Sequence, residues 1–243
     1  MTDRRQPLGE ALASPDGKRR YVRRLFATIA DRYDLITVLL SYGQDRRWKR
    51  RVAALAGGAA GSRVLDLACG TGDIAFEVAR SGARVIGLDI TYRMVELASR
   101  KSSPASRAPV AFLTGDMMAL PFEAGCFDVV TTGYGIRNVP DIAGAIAEIG
   151  RVLRPGGVFV SLDFDRPAQP IVRGAYLIYL TVVGSALGLI LHGDPDTYRY
   201  IPASIRRYPG ADRVAGMLRD GGFSTSTVVP VLGGLMAINR AVR

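Results

Sequence analysis

Two glycines and two aspartates in the first half of the chain have the spacing of a nucleoside-binding turn. Residues 64–73 read VLDLACGTGD: an apolar strand carrying Asp66, a turn with Gly70 and Gly72 around Thr71, then the start of a helix. The next apolar run, RVIGLD, ends on Asp89 and is followed by Ile90. A backbone without side chains at Gly70 and Gly72 lets a ligand approach closely, and the Asp89 carboxylate can accept hydrogen bonds from both hydroxyls of a ribose. The turn does not suit a phosphate. No third glycine completes G-x-G-x-x-G, no Lys-Ser/Thr follows, and Asp73 at the helix start would repel an anion.

S-adenosylmethionine fits this description: it has an adenine, a ribose, a sulfonium and an amino acid end, and no phosphate. The pattern D-x-x-C-G-T-G-D from Asp66 to Asp73, with Asp89 at the next strand end, resembles class I methyltransferases. The expected cofactor contacts at this turn and strand end are Asp66, Gly70, Thr71, Gly72, Asp89 and Ile90.

Strands and helices must alternate to position these residues. Strands over 63–68, 84–89, 110–114, 127–132 and 158–164 alternate with helices over 73–81, 93–101 and 142–153, the last stopped by Pro155-Gly156-Gly157. Residues 222–231 and 235–241 read as a closing antiparallel pair around Gly233-Gly234. The alternation argues for an α/β fold, a doubly wound, mostly parallel, seven-stranded, Rossmann-like sheet in one domain over 18–243. N-terminal helices fill 18–55, with Val22, Leu25, Phe26 and Ile29 at helical spacing. A helical cover over 171–210 is inserted after the fifth strand. Within it, 174–191 is an uncharged run of 18 residues, at the threshold for a membrane span. The strand pair that follows must rejoin the sheet, so the run reads as a cover over the substrate site that lies against lipid. Residues 1–17 read as a flexible tail without the apolar core of a signal peptide.

With 243 residues, 48% of them hydrophobic, the chain can build one sizeable core. The net charge of +10 has early clusters at Lys18, Arg19, Arg20, Arg23 and Arg24 and from Arg46 to Arg51, which suit a polyanion or an anionic membrane. Cys69 and Cys126 lack metal-ligand spacing and read as reduced thiols, so no metal is expected and the placement is cytoplasmic.

More specific motifs run through most of the chain. Tyr33-Asp34 leads to Ser41-x-Gly43 and Trp48-Lys49-Arg50. Gly135-Ile136-Arg137-Asn138-Val139 precedes Arg151-Val152-Leu153-Arg154-Pro155-Gly156-Gly157, and Thr197-Tyr198-Arg199-Tyr200-Ile201 leads to Ser204-Ile205-Arg206. In these motifs the chain resembles the ubiquinone/menaquinone biosynthesis C-methyltransferases. It departs from their usual pattern at Ile36-Thr37 and at Gly133. The resemblance implies methylation of a ring carbon of a prenylated quinol, most simply demethylmenaquinol to menaquinol or the equivalent ubiquinol precursor. It also implies cofactor contacts at Thr71, Asp89, Asp116, Met117 and Gly133, with Asp116 at the adenine amino group and Met117 at the ring.

A ring carbon becomes nucleophilic when its neighbouring hydroxyl loses a proton. Arg137 and Asn138 follow the fourth strand, where a doubly wound sheet binds ligands. Arginine stays protonated, so Arg137 is read as stabilising the phenolate and polarising a water, and Asn138 as orienting that water or the quinol oxygen. Asp163, ending the fifth strand, is read as the proton acceptor. Tyr33, Tyr198 and Tyr200 are read as bounding the ring pocket, and His192 as a helix terminus. The expected partners are the prenylated quinol and an anionic membrane met peripherally on its inner face, with a homodimer kept open. Nucleic acid is excluded, because T-T-G-Y-G-I-R-N replaces a base-methylating N-P-P-Y motif and no RNA-binding module flanks the core. The competing reading is C- or O-methylation of another small aromatic metabolite.

Overall fold

The computed structural model describes residues 8–101 and 108–243. Five βα-type strands come first: β1 (Arg63–Leu67), β2 (Arg84–Asp89), β3 (Val110–Thr114), β4 (Phe127–Gly133) and β5 (Leu153–Phe164). The closing strands are β6 (Thr225–Val231) and β7 (Met236–Val242). They form one sheet of order β3-β2-β1-β4-β5-β7-β6, parallel except for β7, which runs antiparallel to β5 and β6. Strand order reverses between β1 and β4, which opens a crevice beyond their carboxyl ends.

Alternation along each strand assigns residues to two cores. Val64, Val129 and Val160 face α4 (Asp45–Ala56) and α5 (Asp73–Ala79), packing on Trp48, Val52, Ile74 and Val78. Leu65, Val130 and Phe159 face α7 (Ile142–Val152) and α10 (Ala211–Asp220), packing on Ile146, Ile149 and Leu218. Both faces are covered, which is why these strands read as near-continuous apolar runs.

The N-terminal region differs from the sequence expectation. The region read as helical over 18–55 is divided into α2 (Pro15–Ile29), α3 (Tyr33–Leu40) and α4, with a 3-10 turn at Ala30–Arg32. Regular structure begins before residue 18. A short α1 (Leu8–Ala11) precedes α2, and Ser14 caps α2 by accepting from the Gly17 amide at 3.1 Å, with Pro15 in the first turn. Ala11 is buried against this start. The part of the expected flexible tail over 8–17 is therefore helix and turn, while 1–7 lies outside the described residues.

A second difference lies at Pro155-Gly156-Gly157. These residues do not separate helix from strand. β5 starts directly at Leu153, paired with Phe127, and a register shift before Val129 absorbs the turn. Gly156 has φ +77, and the Gly156 amide donates to the Arg243 carbonyl, so the end of β7 satisfies the irregular stretch.

The cover is α8 (Pro170–His192) and α9 (Tyr200–Arg207). By length and composition α8 could cross a membrane. However, β5 before it and β7 after it are hydrogen-bonded neighbours, so both ends of α8 lie on the same side of any bilayer. α6 (Tyr92–Arg100) packs beside β2 and β3.

Gly72 caps α5 at φ +84, and a Cβ there would sit 2.7 Å from the Phe112 ring. Gly72→Ala is expected to cost about 2 kcal/mol or more of stability, from left-handed strain plus overpacking. A lowered urea midpoint at unchanged slope would show this.

Candidate active site

Three neighbouring spaces lie at the carboxyl ends of the parallel strands. The first is a crevice of ≈70 Å³ lined by Ala68, Gly70, Asp89, Ile90, Asp116, Met117, Gly133 and Asn138. The second is an apolar cavity of ≈530 Å³ between α2, α3, α8 and α9, within the range of small-molecule sites. The third is a polar chamber of ≈20 Å³ holding Lys49, Asp66, Thr71 and Asp73. Tyr33 and Tyr134 border all three. These two residues are thus shared walls of the three spaces.

In the crevice, Asp89 is buried. It accepts from the Gly70 amide at 2.9 Å and the Thr91 amide at 2.8 Å. Burial pushes its carboxyl up, and those two N–H groups pull it back toward ionisation. A carboxylate has about four acceptor positions, so two remain for ribose hydroxyls. Leu88, Ile90, Met94 and Met117 offer apolar faces to a purine. Asp116 accepts from the Met118 amide at 2.9 Å and pairs with Arg19. In the polar chamber the buried Asp66 Oδ2 has no hydrogen-bond partner among the described residues, an acceptor position that suits an ammonium. The residues fit an adenosyl group with a cationic amino acid end and no phosphate.

Not every expected contact falls in the crevice. Gly72 packs against Phe112 and Phe76, so its bareness serves helix packing and not ligand approach. Thr71 faces the polar chamber and donates to Asp34 Oδ1 at 2.5 Å. Asp73 is buffered by Lys49 at 2.9 Å and Lys101 at 2.5 Å; burial alone would raise its carboxyl, and the ammonium groups hold it below the usual range.

Arg137 lies on the wall of the large cavity, 5% exposed. Its guanidinium sits 4.8 Å over the Phe164 ring and donates to Asn138 Oδ1 at 3.1 Å. Asn138 Oδ1 also accepts from Tyr200 at 2.9 Å, while its amide donates to the Tyr134 carbonyl at 2.6 Å. Asn138 Oδ1 is thus shared by Arg137 and Tyr200 while its amide is anchored on the Tyr134 carbonyl, so Asn138 buttresses Arg137. Asp163 lines none of the three spaces. It stands behind Arg137, 3.3 Å from Nε, and accepts from the Arg137 and Phe164 amides. The structure thus orients Asp163 toward the arginine and not toward an acceptor ring. Tyr198 and Tyr200 line the large cavity as expected, and His192 Nε2 bonds the Tyr198 hydroxyl at 2.8 Å.

Sequence reading missed the contribution of α2. Arg19, Val22 and Phe26 lie across the crevice, and Lys18 donates to the Arg137 and Val139 carbonyls at 3.0 and 2.6 Å. Burial and the Arg137 charge lower the Lys18 ammonium to about 8. Only the basic run signalled this helix, and that run reads equally well as a solvated face. Tyr134 and Asp45 were also missed.

The sequence matches the model of the ubiE/COQ5 methyltransferase family over residues 15–243. It is 37% identical to the demethylmenaquinone methyltransferase of Roseiflexus castenholzii, across 96% of this chain and 97% of that protein. It is 42% identical to the demethylmenaquinone methyltransferase of Thermus thermophilus, across 82% and 91%. Among solved structures, a SAM-dependent methyltransferase of Thermotoga maritima has a TM-score of 0.64 at 19% identity, covering 91% of this chain and 99% of that one. One from Aquifex aeolicus has a TM-score of 0.57 at 17% identity, covering 80% and 88%. At such identities the likeness is one of fold.

Burial raises the Asp66 carboxyl to about 7, against the pull of the Thr131 hydroxyl. Between its unfolded value near 4 and its folded value, the native state holds a proton that the unfolded chain has released. The Asp66 contribution to stability therefore falls as pH rises through that window. Urea unfolding at a series of pH values should show this decline in wild type and a flatter profile in Asp66→Asn.

Proposed function

The chain belongs to the ubiE/COQ5 methyltransferase family, and from that premise we propose that it methylates a ring carbon of demethylmenaquinol, giving menaquinol. The observation that carries this reading is the large apolar cavity, which shares Tyr33 and Tyr134 with the adenosyl crevice and has one buried arginine on its wall. The named activity of its relatives supports the same substrate.

Bound S-adenosylmethionine supplies an electrophilic methyl group. The chain supplies position and charge. Asp89 and Asp116 hold the nucleoside, and Tyr33 and Tyr134 border the point where donor and acceptor meet. Holding two reactants in line can supply on the order of 7–11 kcal/mol at best. Arg137 stabilises negative charge growing on the quinol oxygen. Phe164, Asn138 and Asp163 fix its guanidinium, so Asp163 acts through the arginine as a positioning residue. The single domain over 18–243, extended by α1 and the start of α2, is the working unit.

Contact with an anionic membrane belongs to the same reading. Ile171, Ala175, Ile178, Val182, Ala186 and Leu189 form an exposed stripe at helical spacing along α8. Ile171 and Val172 also line the large cavity, so the stripe starts at its rim. Arg20 and Arg23 are exposed on α2, where each would gain about 1 kcal/mol near anionic lipid.

Purified protein with labelled donor should methylate reduced demethylmenaquinone in preference to the benzoquinol precursor, with mass spectrometry locating the methyl on the ring. Product on neither quinol, or on oxygen, would overturn the reading. In the same assay Arg137→Ala should lose about 10²–10³ in turnover while calorimetry shows donor affinity retained. Arg20→Gln with Arg23→Gln should weaken partition onto anionic vesicles by about tenfold or more and leave neutral vesicles unaffected.

A further inference from the structure

Methyl transfer to a quinol carbon requires a proton acceptor for the hydroxyl, and the large cavity has an unusual wall. Among the described residues lining it there is no carboxylate and no histidine; its ionisable groups are Arg137 and tyrosines. Arginine does not give up its proton, and Asp163 is walled off behind it. Of the cavity's tyrosines, Tyr134 is distinguished by two observations. With Tyr33 it borders all three spaces, at the donor–acceptor junction. Its hydroxyl also donates at 2.8 Å to Asp45 Oδ1.

Asp45 is 2% exposed on the first turn of α4. Its other oxygen lies 2.5 Å from Lys49 Nζ, which also reaches Asp73 Oδ2 at 2.9 Å. Burial alone would lower the Lys49 ammonium, but Asp73 and Asp45 outweigh it and hold the group above its ordinary range. Lys49 therefore fixes one Asp45 oxygen and leaves the other turned to the Tyr134 hydroxyl. On its other side the Tyr134 ring lies 5.6 Å from Phe164, the ring that carries the Arg137 guanidinium. An oxyanion stabiliser and a path to a carboxylate thus flank the same aromatic ring.

We propose that Tyr134 and Asp45 form the relay that takes the proton from the quinol hydroxyl. This rests on the quinol reading above. As the ring carbon attacks, the quinol O–H bond breaks and its proton passes to the Tyr134 oxygen, while the Tyr134 proton passes to Asp45 Oδ1. The carbon–carbon bond forms, and the methyl–sulfur bond breaks with its pair left on sulfur. The ring carbon then releases its hydrogen to water as a proton, and that C–H pair restores the aromatic ring. The product oxygen retakes the proton stored on Asp45 through Tyr134. One proton is released overall, and both residues return to their starting states. Burial and the Asp45 charge hold the Tyr134 phenol well above its usual range, so it passes a proton onward and does not rest as a phenolate.

The test compares Tyr134→Phe and Asp45→Asn with wild type in single turnovers of donor-loaded protein. Each is given demethylmenaquinol and a ring-fluorinated quinol whose hydroxyl ionises more readily. Both variants should be about a hundredfold slower on the ordinary quinol and less than about tenfold slower on the fluorinated one, as expected for loss of general-base catalysis. Calorimetric donor affinity close to wild type confirms that each variant is folded. A second readout needs no turnover: 4-nitro-1-naphthol bound in the cavity should ionise at lower pH in wild type than in Tyr134→Phe. Equal losses on both quinols, no loss on either, or coincident naphthol titrations would overturn the relay. A wild-type arm that yields no product with either quinol sinks the substrate reading itself, and the relay with it.

Discussion

The reversal of strand order between β1 and β4 is the constraint on which the rest of the molecule depends. Crossovers on opposite faces leave no helix over the ends of these two strands, and the loops leaving them must diverge. The chain accepts backbone strain to do this. Ala68 after β1 and Tyr134 after β4 both have left-handed φ, 48° and 60°, at about 1–2 kcal/mol each for a residue with a Cβ. Glycine would relieve the strain at Tyr134 and remove the one cavity tyrosine that reaches a carboxylate. Strain retained at the junction of three cavities fits a site in which side-chain placement outweighs local stability.

Around that crevice the protein buries charge to an unusual degree, and it does so in two ways. Asp89 and Asp163 are stabilised chiefly by N–H donors and a neighbouring guanidinium. Asp45 and Asp73 are stabilised by lysines. Asp66 is the exception, with one oxygen bonded to Thr131 and the other unpartnered. Leaving a buried carboxylate oxygen unpaired is costly unless the group is neutral or a ligand completes it. Both apply to Asp66: burial favours its neutral form, and beside the turn from Cys69 to Thr71 a cationic ligand end would supply the missing partner.

Much of this was legible in the sequence because strand ends are marked by residue type. Asp89, Asp116, Gly133 and Arg137 follow apolar runs whose alternation assigns the parallel sheet, and all four fall on the cavities. What escaped depended on distant partners. Asp163 has the residue type and strand-end position of a base, yet the local pattern could not say that Arg137 would stand between it and the cavity. Tyr134 looked like one more aromatic in an apolar stretch, since its meaning comes from Asp45, 89 positions away. Pro155-Gly156-Gly157 read as a stop because turn chemistry is local, whereas the pairing that keeps β5 continuous comes from Arg243.

The part of the chain least informative as sequence has the widest reach in the structure. α2 offers Phe26 to both the crevice and the large cavity, Arg19 to Asp116, and Lys18 to the backbone of Arg137. A helix that forms one wall of two sites cannot shift for one ligand without reshaping the other. α2 closes one side of the crevice with Arg19, Val22 and Phe26. Its movement would shift the Lys18 contact on the Arg137 carbonyl, and with it the guanidinium on the acceptor side. A shift of α2 would therefore be felt at both spaces through packing alone. The same helix presents Arg20 and Arg23 outward, so a surface that attracts them acts on the wall that both cavities share.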